Sequence, residues 1–358
     1  MKKINSMKLI EDLSNASGIS GFEDEVLEVI KNYLSSDFTI KEDQNRNLYI
    51  YRKDHDPDKP VVMLDGHSDE IGFMVQSIKP NGTIKFLTIG SWFSQNVPAH
   101  KVRIKNSEGN YIKGIVASKP PHFMTEDEKN EVIKFKDMVI DIGASSKEEV
   151  TQDYKIEIGA PIIPDVKFEY HDQKDIMLGK AFDNRLGCSC VIELMESFKQ
   201  ENLEINLVGS ITGQEEIGTR GAEITAREIS PDVAMVFEGT PADDTFKEEY
   251  EIQSALNKGP QIRHRDVSII THPRFNQFAR KIAKNNNIAF QDAVRSGGGN
   301  NGGKIALSNG GVPTIVLGVP VRYAHTHYGI SSFLDYKALI KWSQKIIKNL
   351  NQNIISNF

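Results

Sequence analysis

The chain has 358 residues, 26% of them charged, and a formal net charge of −6. That length exceeds what one hydrophobic core usually organises, so a large domain with a smaller companion is expected. The acidic balance and the lack of a basic run argue against a dedicated nucleic-acid binder, and no apolar stretch approaches the roughly 20 residues that span a bilayer.

Met1-Lys2-Lys3-Ile4-Asn5-Ser6 has a positive start but no apolar core, so no leader peptide is expected and the chain reads as cytoplasmic. Ser20-Gly21-Phe22-Glu23 has the spacing of a capping box, and Val26, Leu27, Ile30 and Leu34 continue it as an apolar helical stripe. Strands are predicted over Leu48 to Tyr51 and Val61 to Leu64, the second apolar throughout and suited to a sheet centre. From about Gly72 short strands and turns take over. Phe73 to Ile78 and Thr83 to Leu87 flank Pro80-Asn81-Gly82, a tight-turn signal. Lys101 to Lys105, Tyr111 to Val116, Val139 to Ile142 and Ile156 to Ile158 extend the β-rich rhythm to about Lys167.

Alternation then returns. Helices are predicted over 184–199, 222–227, 274–284 and 335–350, and strands over 205–211, 233–237, 267–270 and 313–316. Cys188 and Cys190 lie two apart in the first of these helices, where their side chains diverge and no disulfide is expected. The fold class expected is α/β: a mixed, mostly parallel sheet with helices on both faces, formed by 1–72 and 168–358, with a β-rich insertion at 73–167.

Five apolar runs end in residues able to bind a metal. Leu64-Asp65-Gly66-His67-Ser68-Asp69-Glu70 offers His67, with Asp69 placed to accept a hydrogen bond from its second ring nitrogen and so fix its orientation. Asp183, in Lys180-Ala181-Phe182-Asp183-Asn184-Arg185, is either a helix N-cap or a carboxylate bridging two cations. Gln214-Glu215-Glu216-Ile217 carries adjacent acids that diverge if the backbone is extended, one to coordinate and one to take a proton from water. Gly213 and Gly218 allow tight turns on either side. Glu238 ends the run Val236-Phe237, and His325 follows Val321-Arg322-Tyr323-Ala324, with His327 as its competitor. Two histidines and three carboxylates suit a zinc, cobalt or manganese pair, with Glu215 left as the base.

In this order the segments His67-Ser68-Asp69-Glu70, Asp183-Asn184-Arg185, Gln214-Glu215-Glu216-Ile217-Gly218 and Pro320-Val321-Arg322-Tyr323-Ala324-His325 resemble the tetrahedral and glutamyl aminopeptidases, a family of dinuclear metallopeptidases. Val139-Ile140-Asp141-Ile142-Gly143-Ala144 and Ile158-Gly159-Ala160 resemble its inserted domain. The resemblance implies two divalent ions per subunit (zinc, cobalt or manganese), short peptides as substrates, and dimers that in many relatives build twelve-subunit tetrahedral shells. It implies Asp183 as the bridge, His67 and Glu238 on one ion, Glu216 and His325 on the other, Glu215 as general base and Asp69 as the orienter of His67. It also brings Pro120-Pro121-His122 near a site, although those residues by themselves read as an exposed turn.

Three departures stand out. Glu238 occupies a position where many relatives have Asp. Thr326-His327-Tyr328-Gly329 follows His325 in place of Ser-Pro and an acid. Gly297-Gly298-Gly299-Asn300-Asn301-Gly302-Gly303 replaces a glycine-rich stretch with Thr-Asp, an acid suited to holding the substrate amine. Rival readings are a deacylase of acyl-amino acids on the same metals, an endoglucanase (a label some relatives carry) and a non-catalytic homologue. Adjacent Glu215 and Glu216 are poorly placed to flank one glycosidic bond.

Overall fold

A computed structural model describes residues 5–358, so Met1 to Ile4, most of the segment read for a leader, lie outside the described residues. The chain opens with α1 (Ser6–Asn15), α2 (Asp24–Tyr33), β1 (Phe38–Glu42), β2 (Leu48–Arg52) and β3 (Val61–His67). It continues with β4 (Gly72–Ile78), β5 (Ile84–Ile89), β6 (Lys101–Lys105), β7 (Tyr111–Ala117), α3 (Glu126–Asn130), β8 (Val139–Asp141), α4 (Lys147–Gln152) and β9 (Pro161–Pro164). Next come β10 (Glu169–His171), β11 (Ile176–Gly179), α5 (Phe182–Phe198), β12 (Asn206–Thr212), α6 (Arg220–Ile229) and β13 (Val233–Pro241). The last third holds β14 (Gln261–Arg265), α7 (Pro273–Asn285), β15 (Gln291–Val294), α8 (Gly302–Ala306), β16 (Thr314–Arg322), β17 (Gly329–Ser332), α9 (Phe333–Lys348) and α10 (Gln352–Ile355).

One sheet runs β1-β2-β12-β3-β13-β16-β17-β11-β10, with β14 and β15 branching from β16. Side chains alternate across its centre. Val62 and Leu64 of β3 and Val233, Met235 and Phe237 of β13 face the core under α1, α5 and α9. Met63, Ala234 and Val236 face α6 and α8. Helices therefore cover both faces, which is why these strands read as unbroken apolar runs. The expectation of a mostly parallel sheet needs correction: β12, β3, β13 and β16 are mutually parallel, but both flanks pair antiparallel. Six strands, β4 to β9, close a separate antiparallel barrel around Phe73, Val75, Val102, Ile104 and Ile140.

Local expectations were corrected in four places. Ser20 caps no helix: its hydroxyl donates to Asp69 Oδ2 at 2.6 Å, and α2 starts at Asp24 without a side-chain cap. Ile156 to Ile158 form no strand; the barrel takes β9 instead, whose four residues are all buried. Val267 to Ile270 form a turn, because Asp266 Oδ1 accepts the N–H groups of Ser268 and Ile269. Around Glu215, Gly213 is not the turn residue: Gln214 takes a left-handed φ of 58°, and Gly218 a φ of 119°.

Candidate active site

The parallel strands β12, β3, β13 and β16 point their carboxyl ends at one cavity of about 570 Å³, the usual place for a site in such a sheet. His67 closes β3, directly opposite Thr212 at the end of β12. Glu215 and Glu216 follow β12, Glu238 lies in β13, and His325 follows β16. Asp183 enters from the first turn of α5. It is not the cap: Asn184 accepts the N–H of Gly187 at 2.9 Å, while the Asp183 oxygens face His67 and His325.

All six predicted residues converge with Asp69. His67 Nε2 lies 3.2 Å from Asp183 Oδ1 and 3.8 Å from both Glu215 Oε2 and Glu238 Oε2. Its Nδ1 faces Asp69, at 3.2 Å from the carbonyl oxygen and 3.4 Å from Oδ1. His325 Nε2 lies 3.4 Å from Asp183 Oδ2 and 3.6 Å from Glu216 Oε2, while its Nδ1 meets the Ser91 carbonyl at 2.8 Å. Asp183 thus presents one oxygen to each histidine. Donor atoms of His67, Asp183 and Glu238, and separately of Asp183, Glu216 and His325, lie within 4.8 Å of one another.

Electrostatics explain why such a cluster suits cations. Burial pushes Glu215 up to about 7, with Asp69 and Asp183 adding to the rise and His67 opposing it. Burial also raises Glu216 and Glu238 well above the usual carboxylate range, and Asp183 adds to both. Burial alone would lower His67, but Glu215, Asp183, Asp69 and Glu238 raise it well above its ordinary value. Glu238 Oε1 is buried with no hydrogen-bond partner among the described residues. Carboxylates crowded and desolvated in this way are neutralised by divalent cations, whose hard-to-borderline N/O ligand set this is. The residues fit two metal ions.

Residues 47–342 match the M42 glutamyl aminopeptidase family. The chain belongs to that family. It is therefore a metal-dependent aminopeptidase, a hydrolase. A TET aminopeptidase structure from Thaumarchaeota archaeon SCGC AB-539-E09 superposes with a TM-score of 0.94 at 34% identity, covering 99% of each chain. The TET1 peptidase of Pyrococcus horikoshii, described as assembling into a tetrahedron or a large octahedral shell, gives 0.86 at 25% identity, covering 97% of this chain and 100% of its own. The glutamyl aminopeptidase of Lactococcus lactis subsp. cremoris (strain MG1363) is 28% identical over 344 residues, 96% of each chain.

Several supports of this M42 aminopeptidase site escape a reading of the sequence. Arg185, fully buried, donates to the carbonyls of Ser68 (2.8 Å), Leu13 (2.6 Å) and Gly18 (3.2 Å). Glu70 Oε1 accepts from Lys180 Nζ at 2.6 Å and Arg185 Nη2 at 3.3 Å. Residues on either side of Asp183 thereby clamp the loop that carries His67 and Asp69; their one signal in the sequence is proximity to those motifs. The Asn300-Asn301 departure takes on a different meaning. Asn301 donates to Asp65 Oδ2 (2.8 Å) and Thr212 Oγ1 (2.7 Å) beneath the strands, and Asn300 donates to Asp266 at 2.6 Å. Asn301 thus serves the scaffold, whereas Asn300 also lines the cavity. His327, the competitor of His325, is buried against His100 with ring centroids 4.1 Å apart and does not line the cavity. Pro120, Pro121 and His122 are exposed and do not line it either.

Proposed function

We propose that the protein removes N-terminal residues from short peptides with two divalent metal ions, zinc or cobalt by the chemistry of the donors, or manganese. His67, Asp183 and Glu238 would hold one ion and Asp183, Glu216 and His325 the other. When bound, such ions polarise a scissile carbonyl and acidify water toward neutral pH. Glu215 accepts the proton of the attacking water and passes it to the leaving amine. Asp69 keeps the His67 ring in register and holds the Glu215 backbone N–H at 3.0 Å. The observation carrying this reading is that Asp183 offers one oxygen to each histidine. The deacylase alternative shares every one of these groups; no feature of the cavity favours it.

Glu215→Gln tests the assignment. The variant should keep two metal equivalents and lose turnover by a factor of 10² or more, the range for removing a general base. Near-normal turnover would remove Glu215 from that role.

We further propose that the chain divides into 1–72 with 168–358 and an inserted 73–167, is cytoplasmic, and self-associates through the insertion into dimers and larger shells. The family relationship and the exposure of Ile158 on the barrel support self-association. Light scattering on purified protein reads that state, and a monomer at micromolar concentration would exclude it.

A further inference from the structure

The two histidines of the site are not held alike. His67 ends a strand, its side chain is 2% exposed, and its Nδ1 faces Asp69 of the same loop. The His325 side chain is 35% exposed and sits on a turn, at a left-handed φ of 61°. The Thr326 hydroxyl lies 2.9 Å from both the Tyr323 and the Tyr328 carbonyls. Those contacts fix the turn and leave the imidazole ring to be fixed by something else. Among the described residues, the hydrogen-bond partner of its Nδ1 is the Ser91 carbonyl at 2.8 Å. A carbonyl oxygen can only accept, so Nδ1 carries the proton and Nε2 keeps its lone pair for an ion.

Ser91 does not belong to the main sheet. It follows β5 of the barrel and reaches across to line the cavity. Its carbonyl is set between two anchored neighbours. On one side the chain turns at Gly90 with a φ of 75°. A Cβ there would fall 2.4 Å from Ile71 Cγ2 and 3.3 Å from Glu216 Oε2, so this position has no room for a side chain. On the other side Trp92 donates its indole N–H to the Gly72 carbonyl at 3.0 Å. Its ring stacks on Phe73 of β4, with centroids 4.6 Å apart and planes 25° from parallel. The barrel thus does for His325 what Asp69 does for His67. Acceptors of this kind fix the tautomer and plane of a ligating imidazole.

We propose that the barrel turn Gly90 to Trp92 is a positioning element of one of the two metal sites. Through the Ser91 carbonyl it sets the His325 ring, and Gly90 and Trp92 hold that carbonyl in place. This role rests on the two-metal reading of the cavity. It makes the ion at Asp183, Glu216 and His325 depend on the barrel, while the ion at His67, Asp183 and Glu238 depends on the main sheet alone.

The test is a zinc titration of the metal-stripped full chain against a competing chelator, which resolves a dissociation constant for each ion. His325→Ala identifies the constant that depends on His325. Trp92→Phe keeps an aromatic ring on Phe73 and removes the N–H that reaches Gly72; Gly90→Ala forces the turn away from Ile71. Each should weaken the His325-dependent constant by about tenfold or more and leave the other within about twofold, the range for losing an outer partner of a ligand. Added to His325→Ala, Trp92→Phe should change the remaining constant by less than about twofold, because its effect passes through His325. At limiting zinc, Trp92→Phe should lose turnover that excess zinc restores, which a general loss of packing would not allow. Constants equal to the parent's, both ions weakened alike, or an effect that persists without His325 would each overturn the role. Circular dichroism reports folding, and Trp92→Phe, the milder change, decides where Gly90→Ala does not fold. A parent chain that binds fewer than two zinc ions would instead overturn the two-metal reading itself.

Discussion

Glu215 and Glu216 are neighbours in the chain yet reach different histidines, and Asp69 is the reason. Its Oδ1 takes the N–H of Glu215 at 3.0 Å and its Oδ2 the N–H of Glu216 at 3.2 Å. The backbone between them is thus fixed, with the two side chains sent apart: Glu215 Oε2 lies 3.8 Å from His67 and Glu216 Oε2 lies 3.6 Å from His325. Glu216→Gln is therefore expected to act differently from the same change at Glu215. A neutral amide leaves His325 and Asp183 to hold an ion with one charged ligand fewer, so metal analysis should find the second equivalent lost or weakened by at least tenfold. Two tightly held equivalents in that variant would place Glu216 outside the ligand set. The candidate ligands were legible because each ends an apolar run, a pattern that survives in one dimension. The clamp of Lys180 and Arg185 on Glu70 was not, because those partners lie 110 and 115 residues apart in the chain. Ser20 was misread for the same reason: its partner, Asp69, is 49 residues away.

At the scale of elements, the site depends on how closely α5 approaches β3 and β13. Asn184 locks that approach: its amide donates to the Phe237 carbonyl at 2.7 Å while its oxygen accepts the N–H groups of Gly187 (2.9 Å) and Gly239 (3.1 Å). A Cβ on Gly187 would fall 2.2 Å from Asn184 Oδ1 and 2.5 Å from the Phe237 carbonyl oxygen. No backbone relaxation confined to one residue removes both contacts. Gly187→Ala should therefore cost about 1–3 kcal/mol of stability, as overpacking does, and lower metal affinity as well, because it displaces Asp183 relative to His67. Denaturant unfolding and metal titration check the two effects; a variant as stable as the parent with unchanged affinity would mean the helix has slack. The strands and helices themselves were largely readable from apolar runs and alternation. What was not readable was direction. The antiparallel flanks follow from how β2, β14 and β17 return to the sheet, and periodicity carries no sign of strand polarity. The turn at Val267 to Ile270 has the composition of a strand; Asp266, by taking the local N–H groups on its carboxylate, removes them from any ladder.

At the scale of the whole molecule, the barrel and the main sheet meet around a histidine. His327, just before β17, packs its ring on His100 (4.1 Å) and Trp92 (5.1 Å), with Phe73 of β4 at 6.4 Å. The ring is buried, and neither nitrogen has a hydrogen-bond partner among the described residues. Burial, with His100 adding to it, pushes its pKa down to about 3. A histidine whose pKa is lower folded than unfolded binds fewer protons in the native state, so its contribution is fully present above about 6.5 and is lost as pH falls below that value. By pH 5 this one group should remove about 2 kcal/mol of stability. His327→Phe keeps an aromatic ring of similar size at the junction and cannot be protonated. Denaturant unfolding of both proteins at pH 7.5 and pH 5, at matched metal content, should show the parent losing about 2 kcal/mol more than the variant over that interval. Equal losses would mean that His327 reaches solvent or a partner when charged, and that the junction between barrel and sheet does not depend on its neutrality.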